Sequence, residues 1–195
     1  MRDWEATYAE GVVEAMPWFH AELDPDVEKA LAKLNLAGGR FLDLGTGPGT
    51  QAIAMAERGF HVTACDLSPT AIAKASARAT RDGAQVNFVV DDILATKLSG
   101  PFDLVLDRGC FHVFEPEKRP LYIESIGKLV AKGGHLFLKT FSLEQPRPEG
   151  PHRFSPEMIR DYFDAAFEVV SIDQTVYQGT MQPLPNALFS VLTRR

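Results

Sequence analysis

Long apolar runs are missing from this chain. No stretch is long enough to span a bilayer, and the opening Met1-Arg2-Asp3-Trp4-Glu5 is too polar and charged for the apolar part of a secretory leader. Cysteine is scarce. Cys65 and Cys110 fall in different expected elements, which excludes a disulfide framework and fits a reducing, cytoplasmic compartment. The five histidines and two cysteines show no metal-ligand spacing, so no metal is expected. Basic surplus is absent too: the formal net charge is −6 and no Lys/Arg run occurs, which argues against a nucleic-acid partner. There is no repeat, low-complexity tract or linker. At 195 residues and 45% hydrophobic, the chain reads as one domain, 1–195.

What is present is an alternation of short apolar strands and helical stretches, the pattern of an α/β fold with a mostly parallel sheet. Residues 1–22 carry Trp4, Tyr8, Trp18 and Phe19 and predict a helix followed by an aromatic loop. Asp24-Pro25 opens a helix to about Leu36, with Asp as cap and Pro at the first helical position. Strands are expected at Arg40–Leu44, His61–Cys65, Val86–Val90, Phe102–Leu106 and His135–Thr140. Helices are expected from Gly49 to about Arg58, from Ser68-Pro69 to about Arg81, and from Pro116 to about Ala131. Residues 142–153, with Pro146, Pro148 and Pro151, read as a loop, and Ser155-Pro156 opens a last helix to about Ala165. Two closing strands, Glu168–Tyr177 and Leu188–Thr193, follow with a short link and form an antiparallel pair.

The strongest local signal is Phe41-Leu-Asp-Leu-Gly-Thr-Gly-Pro-Gly-Thr50. A strand runs into glycines 45, 47 and 49 and then into a helix. Ligands of open α/β sheets bind at such carboxyl ends. A dinucleotide loop reads G-x-G-x-x-G and seats a pyrophosphate on the helix N-terminus. Here the third glycine comes one residue early, Pro48 removes an N–H donor, and Asp43 sets a carboxylate where phosphate would be repelled. A cationic, phosphate-free ligand suits the loop better; S-adenosylmethionine, with its ammonium and sulfonium, has that chemistry. Asp66, ending the second strand, is placed to accept from ribose hydroxyls, or else caps the next helix. Asp91 and Asp92 end the third strand, where one of them can accept from an adenine amino group.

Together these residues resemble the class I S-adenosylmethionine-dependent methyltransferases over Arg40 to about Thr140, and in outline to the C-terminus. The family's glycine motif matches Asp43-Leu-Gly45-Thr46-Gly47-Pro-Gly49. Its ribose acid matches Asp66, followed by Leu67, and its adenine-side acid matches Asp92, followed by Ile93. Phe102-Asp-Leu-Val-Leu-Asp-Arg-Gly-Cys-Phe-His112 is similar to its fourth-strand motif, and Gly133-Gly134-His-Leu-Phe137 to its turn into strand five. The resemblance implies a Rossmann-like seven-stranded sheet, mostly parallel with an antiparallel last strand, and helices on both faces. Trp4, Tyr8, Gly11, Pro17-Trp18, Asp107-Arg108-Gly109, Gly150-Pro151 and Phe154-Ser155 resemble the thiopurine and thiol methyltransferase group with its tellurite-resistance relatives. In that group the N-terminal segment folds over the cofactor and helps close the substrate pocket; here 1–36 comprises that lid and a helix, before a core of 37–195. Trp18 is the cofactor-side candidate from the lid.

The reaction implied is methyl transfer to a small-molecule acceptor, in which the cofactor supplies the chemistry and the protein supplies position and field. A thiol, with pKa near ~8.5, is already partly thiolate at neutral pH, and Arg108 is a candidate cation to raise that share or to hold an acidic acceptor group. For an oxygen or nitrogen acceptor a general base would help more, and His112 and Asp107 are the candidates; the alternative role for Asp107 is to serve the cofactor's amino group. Cys110 reads as a small buried residue. His152 and Arg153 are either loop polarity or part of the acceptor site. Sulfur, oxygen and nitrogen acceptors, and a cofactor-binding protein without turnover, all remain open at this stage, as does the oligomeric state.

Overall fold

The computed structural model describes residues 3–146 and 150–195. Met1, Arg2 and Pro148 of the proline-rich stretch lie outside them. The N-terminal helix α1 is Trp4–Glu10, capped by the Asp3 carboxylate, which accepts from Ala6 N–H. A single 3-10 turn, Val13–Ala15, follows. Helix α2 is Pro25–Lys33, with Asp24 accepting from Asp26 N–H and Pro25 in the first turn. It stops three residues before the expected Leu36, where Asn35 turns left-handed at φ 53°.

The core then alternates: β1 Gly39–Leu44, α3 Thr50–Glu57, β2 Phe60–Asp66, α4 Pro69–Asp82, β3 Val86–Val90, β4 Phe102–Arg108, α5 Arg119–Leu129 and β5 Val130–Ser142. The remainder is β6 Arg153–Phe154, α6 Pro156–Phe163, β7 Phe167–Val176 and β8 Asn186–Arg194. The helix expected to continue to Ala131 ends at Leu129, because Val130 already pairs with Phe102 in the sheet. The ladder resumes only at His135 with Leu104, so Ala131 to Gly134 form an irregular bulge. The two-residue β6 was not expected. It pairs with the end of β5 through Phe141 and Ser142, and is too short to leave a periodic signal.

The main sheet runs β3-β2-β1-β4-β5-β8-β7. Strands β1 to β5 are parallel, and β8 inserts antiparallel between β5 and β7. The direction of winding reverses between β1 and β4, so their carboxyl ends open the crevice where such sheets bind ligands.

Strand alternation decides which side chain meets which helix layer. Leu42, Val105, Leu136 and Leu138 pack in one layer with Tyr122 and Ile126 of α5 and Phe163 of α6. Phe41, Leu104, Leu106 and Phe137 pack in the other with Val27 and Leu31 of α2 and Met55 of α3. Carried to the strand ends, the same parity sends Asp107 toward α5, and Arg108 and Lys139 toward α2. Fully burying each large apolar side chain contributes roughly 1.5–3 kcal/mol. Helix α4 lies close to the sheet because its buried stripe is Ala71, Ala75 and Ala79. A Cβ on Gly49, at φ 76°, would stand 2.8 Å from the Ala75 Cβ.

Candidate active site

A cavity of about 550 Å³ opens over the carboxyl ends of β1, β2 and β4. Gly45, at φ 66°, forms part of its floor. The rest of the glycine loop is folded on itself. Thr46 N–H donates to Cys65 O (2.9 Å), Gly47 N–H to the Asp66 carboxylate (2.9 Å), and Gly49 N–H to Thr46 O (2.9 Å); Pro48 has no N–H. Asp43 sits at the N-terminal end of α3. Its carboxylate accepts from the Thr46 hydroxyl at 2.5 Å and faces the Ala52 N–H in the first turn of α3. Burial pushes its pKa up to about 6, against the pull of the Thr46 hydroxyl. The helix N-terminus therefore already holds an anion and the loop's donors are used, which leaves no cradle for pyrophosphate. Asp43, Thr46, Gly47 and Gly49 do not line the cavity. They lie beneath the lining residues and shape the cavity floor.

Three acids face the cavity from the ends of β2 and β3. Asp66 is held by Gly47 N–H on one oxygen and Ser68 N–H on the other (both 2.9 Å), and burial raises its pKa. Ser68, not Asp66, caps α4, through Ala71 N–H. Asp92 caps the 3-10 turn Ile93–Ala95 by accepting from Leu94 N–H (3.0 Å). Asp91 takes Lys97 N–H on Oδ2 (2.9 Å), while its Oδ1 is buried without a hydrogen-bond partner. Leu67 and Ile93 supply apolar surface beside these acids. An orphaned carboxylate oxygen among acids calls for a ligand rich in donors or positive charge. S-adenosylmethionine fits that donor set.

The fourth strand ends in Asp107-Arg108. Asp107 is fully buried, outside the cavity lining, and closes the following turn: Gly109, Cys110 and Phe111 N–H groups and the Tyr122 hydroxyl (2.5 Å) all donate to it. Burial lifts its pKa to about 6. With both oxygens engaged away from the cavity, it takes neither the base role nor the cofactor contact considered for it. Arg108 does line the cavity, but its guanidinium is tied down. It donates to Asp24 (2.8 Å), to Trp18 O (3.0 Å) and to Gln178 O, and lies 4.7 Å over the Tyr177 ring. Lys139, 0% exposed, donates to both oxygens of Asp24 (2.7 and 2.8 Å) and to Asp26 (2.7 Å). Burial pushes the Asp24 carboxyl up, and the Lys139 and Arg108 cations outweigh that and hold it below the usual carboxylate range. Arg108 is therefore one member of an internal charge cluster, not a free cation and not a surface pair.

His112 lines the cavity from the 3-10 turn Phe111–Val113. Its Nδ1 accepts from Phe141 N–H (3.2 Å), which assigns the ring proton of the neutral form to Nε2. Burial, and then the neighbouring His152 and Arg108, push its pKa down to about 3, so it is neutral in ordinary solution. A neutral imidazole whose only lone pair is engaged does not serve as the base expected of it. Cys110 also lines the cavity, and burial pushes its thiol well up. Gly109, at φ 105°, has no space for a side chain: a Cβ there would meet the Tyr177 hydroxyl and stand 3.1 Å from His112 Nε2.

The aromatic N-terminal segment splits. Trp4, Tyr8 and Trp18 line the cavity, with Trp18 edge-on to Trp4 (5.7 Å) and its Nε1–H donating to the Tyr8 hydroxyl (3.2 Å). Phe19 points away, under the Arg78 guanidinium at 5.4 Å. The segment is fixed on one side to α4, by Glu5 on Ser68 and Thr70 and by Lys74 on Tyr8 O. On the other side Thr180 N–H donates to Pro17 O. Among the proline-loop residues, Gly150 and Pro151 line the cavity; His152 and Arg153 do not. His152 instead donates its N–H to His112 O (2.9 Å) and pairs with Glu115 (3.2 Å). Phe141, Gln145 and Tyr177, which complete the wall, carried no sequence signal of their own. Lys139 did: a lysine inside an apolar strand needs a buried partner.

A family profile described as a methyltransferase domain matches residues 41–134. The probable thiol methyltransferase 2 of Arabidopsis thaliana is 30% identical over 172 residues, covering 87% of this chain and 75% of that protein. Thiocyanate methyltransferase 1 of Brassica oleracea is 27% identical over 177 residues, covering 89% and 77%. A solved structure described by the conversion of a disulfide bond into a thioacetal group during echinomycin biosynthesis is similar at TM-score 0.85 and 27% identity, covering 98% of this chain and 90% of that one. Among the described residues no helix is long and apolar enough to cross a membrane. With its sheet order, its self-bonded glycine loop and these relatives, the chain belongs to the class I S-adenosylmethionine-dependent methyltransferases, enzymes that take their methyl group from that cofactor.

Proposed function

We propose that this enzyme methylates small-molecule thiols at sulfur. The observation that carries the reading is that the candidate bases are spent: Asp107 is sealed outside the cavity by four donors, and the His112 lone pair is taken by Phe141 N–H. A thiol tolerates this, since an appreciable share of it is thiolate at neutral pH when its pKa is near ~8.5; a phenol, near ~10, is far less ionised. The names of the Arabidopsis and Brassica relatives point the same way.

Asp66, Asp91 and Asp92 would hold the cofactor's donor groups, with Gly45, Leu67 and Ile93 against its apolar parts and Trp18 on the lid side. S-adenosylmethionine supplies there a methyl carbon activated by a sulfonium. The chain supplies alignment and exclusion of water, effects that together account for up to roughly 7–11 kcal/mol in favourable cases. Residues 1–36, a lid followed by helix α2, and a core of 37–195 form a single domain, 1–195. The negative net charge and the two unpaired cysteines support a cytoplasmic enzyme that acts on small molecules and not on nucleic acid.

The test is a methyl-release assay with thiophenol, phenol and aniline, three acceptors of one shape. Thiophenol is expected to turn over at least 100-fold faster than the other two at pH 7.5. Preference for phenol or aniline overturns the reading.

A further inference from the structure

We infer that His112 and Gln145 bind the acceptor as an anion, the Nε2–H of His112 and the side-chain amide of Gln145 donating to a soft, thiolate-type atom on a small apolar body. This rests on the thiol reading above and sharpens it, by turning the residue first considered as a base into a donor.

Geometry carries the argument. Phe141 N–H fixes the His112 tautomer, so the nitrogen left for a ligand bears a proton. The ring is locked by stacking on Tyr177 (centroids 5.8 Å apart, 28° between planes) and by the edge of Phe141 (5.1 Å). Gly109 beneath it has no side chain to cover Nε2. Gln145 behaves alike. It is 8% exposed, lines the same cavity, and turns its Oε1 to Asn186 N–H (3.1 Å), which orients its amide donors away from that contact.

The charges along the wall are sorted to match. Among the described lining residues, the acids are Asp66, Asp91 and Asp92, all at the ends of β2 and β3. Among the described residues the other side of the cavity presents no carboxylate, and the charged groups lining it there are Arg108 and Lys118, the latter exposed. A cationic cofactor belongs with the acids, and an anion belongs with the donors. Neutral donors in an aromatic wall suit a weakly hydrated sulfur anion, because they stabilise its charge without paying to desolvate a second ion. His152 and Arg108, the charged or titratable groups acting on His112, both oppose its protonation, so it remains a neutral donor.

The probe is thiocyanate ion, titrated calorimetrically into the full chain saturated with S-adenosylhomocysteine. Wild type is expected to bind it saturably. His112→Leu should weaken binding at least tenfold, Gln145→Leu about threefold, and His112→Gln, which restores an N–H donor but no titratable proton, should stay within threefold of wild type. Affinity for S-adenosylhomocysteine, measured on each variant, confirms that it is folded. With thiophenol as acceptor, wild type and His112→Gln should share one pH profile, governed by ionisation of the thiol alone. Absence of saturable thiocyanate binding, unchanged binding in His112→Leu, or loss of turnover in His112→Gln as complete as in His112→Leu overturns the inference. Thiocyanate binding in the expected pattern without methylation of any thiol leaves the anion site standing and sinks the thiol reading.

Discussion

The two ends of the cavity are built differently. The end lined by the three acids, proposed above for the cofactor, is made from consecutive strand ends, β1, β2 and β3, whose loops bond to each other: Thr46 to Cys65, Gly47 to Asp66, Asp91 N–H to Asp66 O. The opposite end, proposed above for the acceptor, is gathered from the N-terminal segment, the turn after β4, the end of β5 and the β7–β8 connection. It is held by long-range side-chain bonds, chiefly those of Arg108 and Lys139 to Asp24. A parallel sheet thus provides the first end almost automatically, through its winding, while the second depends on a few buried polar contacts between distant segments.

The sharpest way to break that contrast is Lys139→Met. It removes the ammonium shared by Asp24 and Asp26 and leaves a buried carboxylate short of a partner, which costs about 3–5 kcal/mol. A urea denaturation series should show a loss of that size, and acceptor binding should suffer more than cofactor binding in the folded remainder. The sign of the acid dependence follows. Because the Asp24 pKa is lowered by folding, its stabilisation is present above the unfolded value and is lost as pH falls below it. Lys139→Met should therefore flatten the acid limb of the stability curve.

Asp43→Asn probes the other end. The carboxyl of Asp43 has its pKa raised by burial, so its contribution is full below the unfolded value of 3.8 and lost as pH rises through about 6. Between pH 4 and 7 wild type should lose up to about 3 kcal/mol relative to the variant, measured by thermal melts at each pH. Parallel pH curves for the two proteins would show that Asp43 is not the group responsible. Asp66→Ala should have the smallest energetic effect, about 2 kcal/mol, or roughly 30-fold in affinity for S-adenosylhomocysteine by calorimetry, with KM for the acceptor unchanged. An affinity loss under threefold would mean that the strand-end acids do not hold the cofactor.

The same contrast explains what was legible in the chain. The parallel strands stand out as short apolar runs between Gly, Ser and Pro signals, and Val86–Val90 is placed to the residue. The glycine loop and Asp66 were legible because they are contiguous and their chemistry is local. Burial of Asp43 under α3 was not, since it depends on where strand alternation aims a side chain once the helix has packed. Arg108 and His112, expected as catalytic residues, both line the cavity. Their roles, however, are set by Asp24, Trp18 O, Gln178 O and Phe141 N–H, partners between 29 and 90 positions away in sequence. Asp107 misled because an acid at the end of a central strand looks available, and only the turn wrapped round it shows that it is not. Phe141 and Tyr177 were invisible for the same reason: an aromatic residue at the end of a strand reads as core until the cavity beside it is known.

A turn that satisfies its own amides has a thermodynamic consequence. The backbone from Thr46 to Gly49 is already ordered by Cys65 O, Asp66 and Thr46 O, so arrival of the nucleoside need not freeze it. Little conformational entropy is lost in that floor on association, and most of the intrinsic affinity of the contacts made above it survives into the observed one. The floor of the pocket is a pre-ordered template.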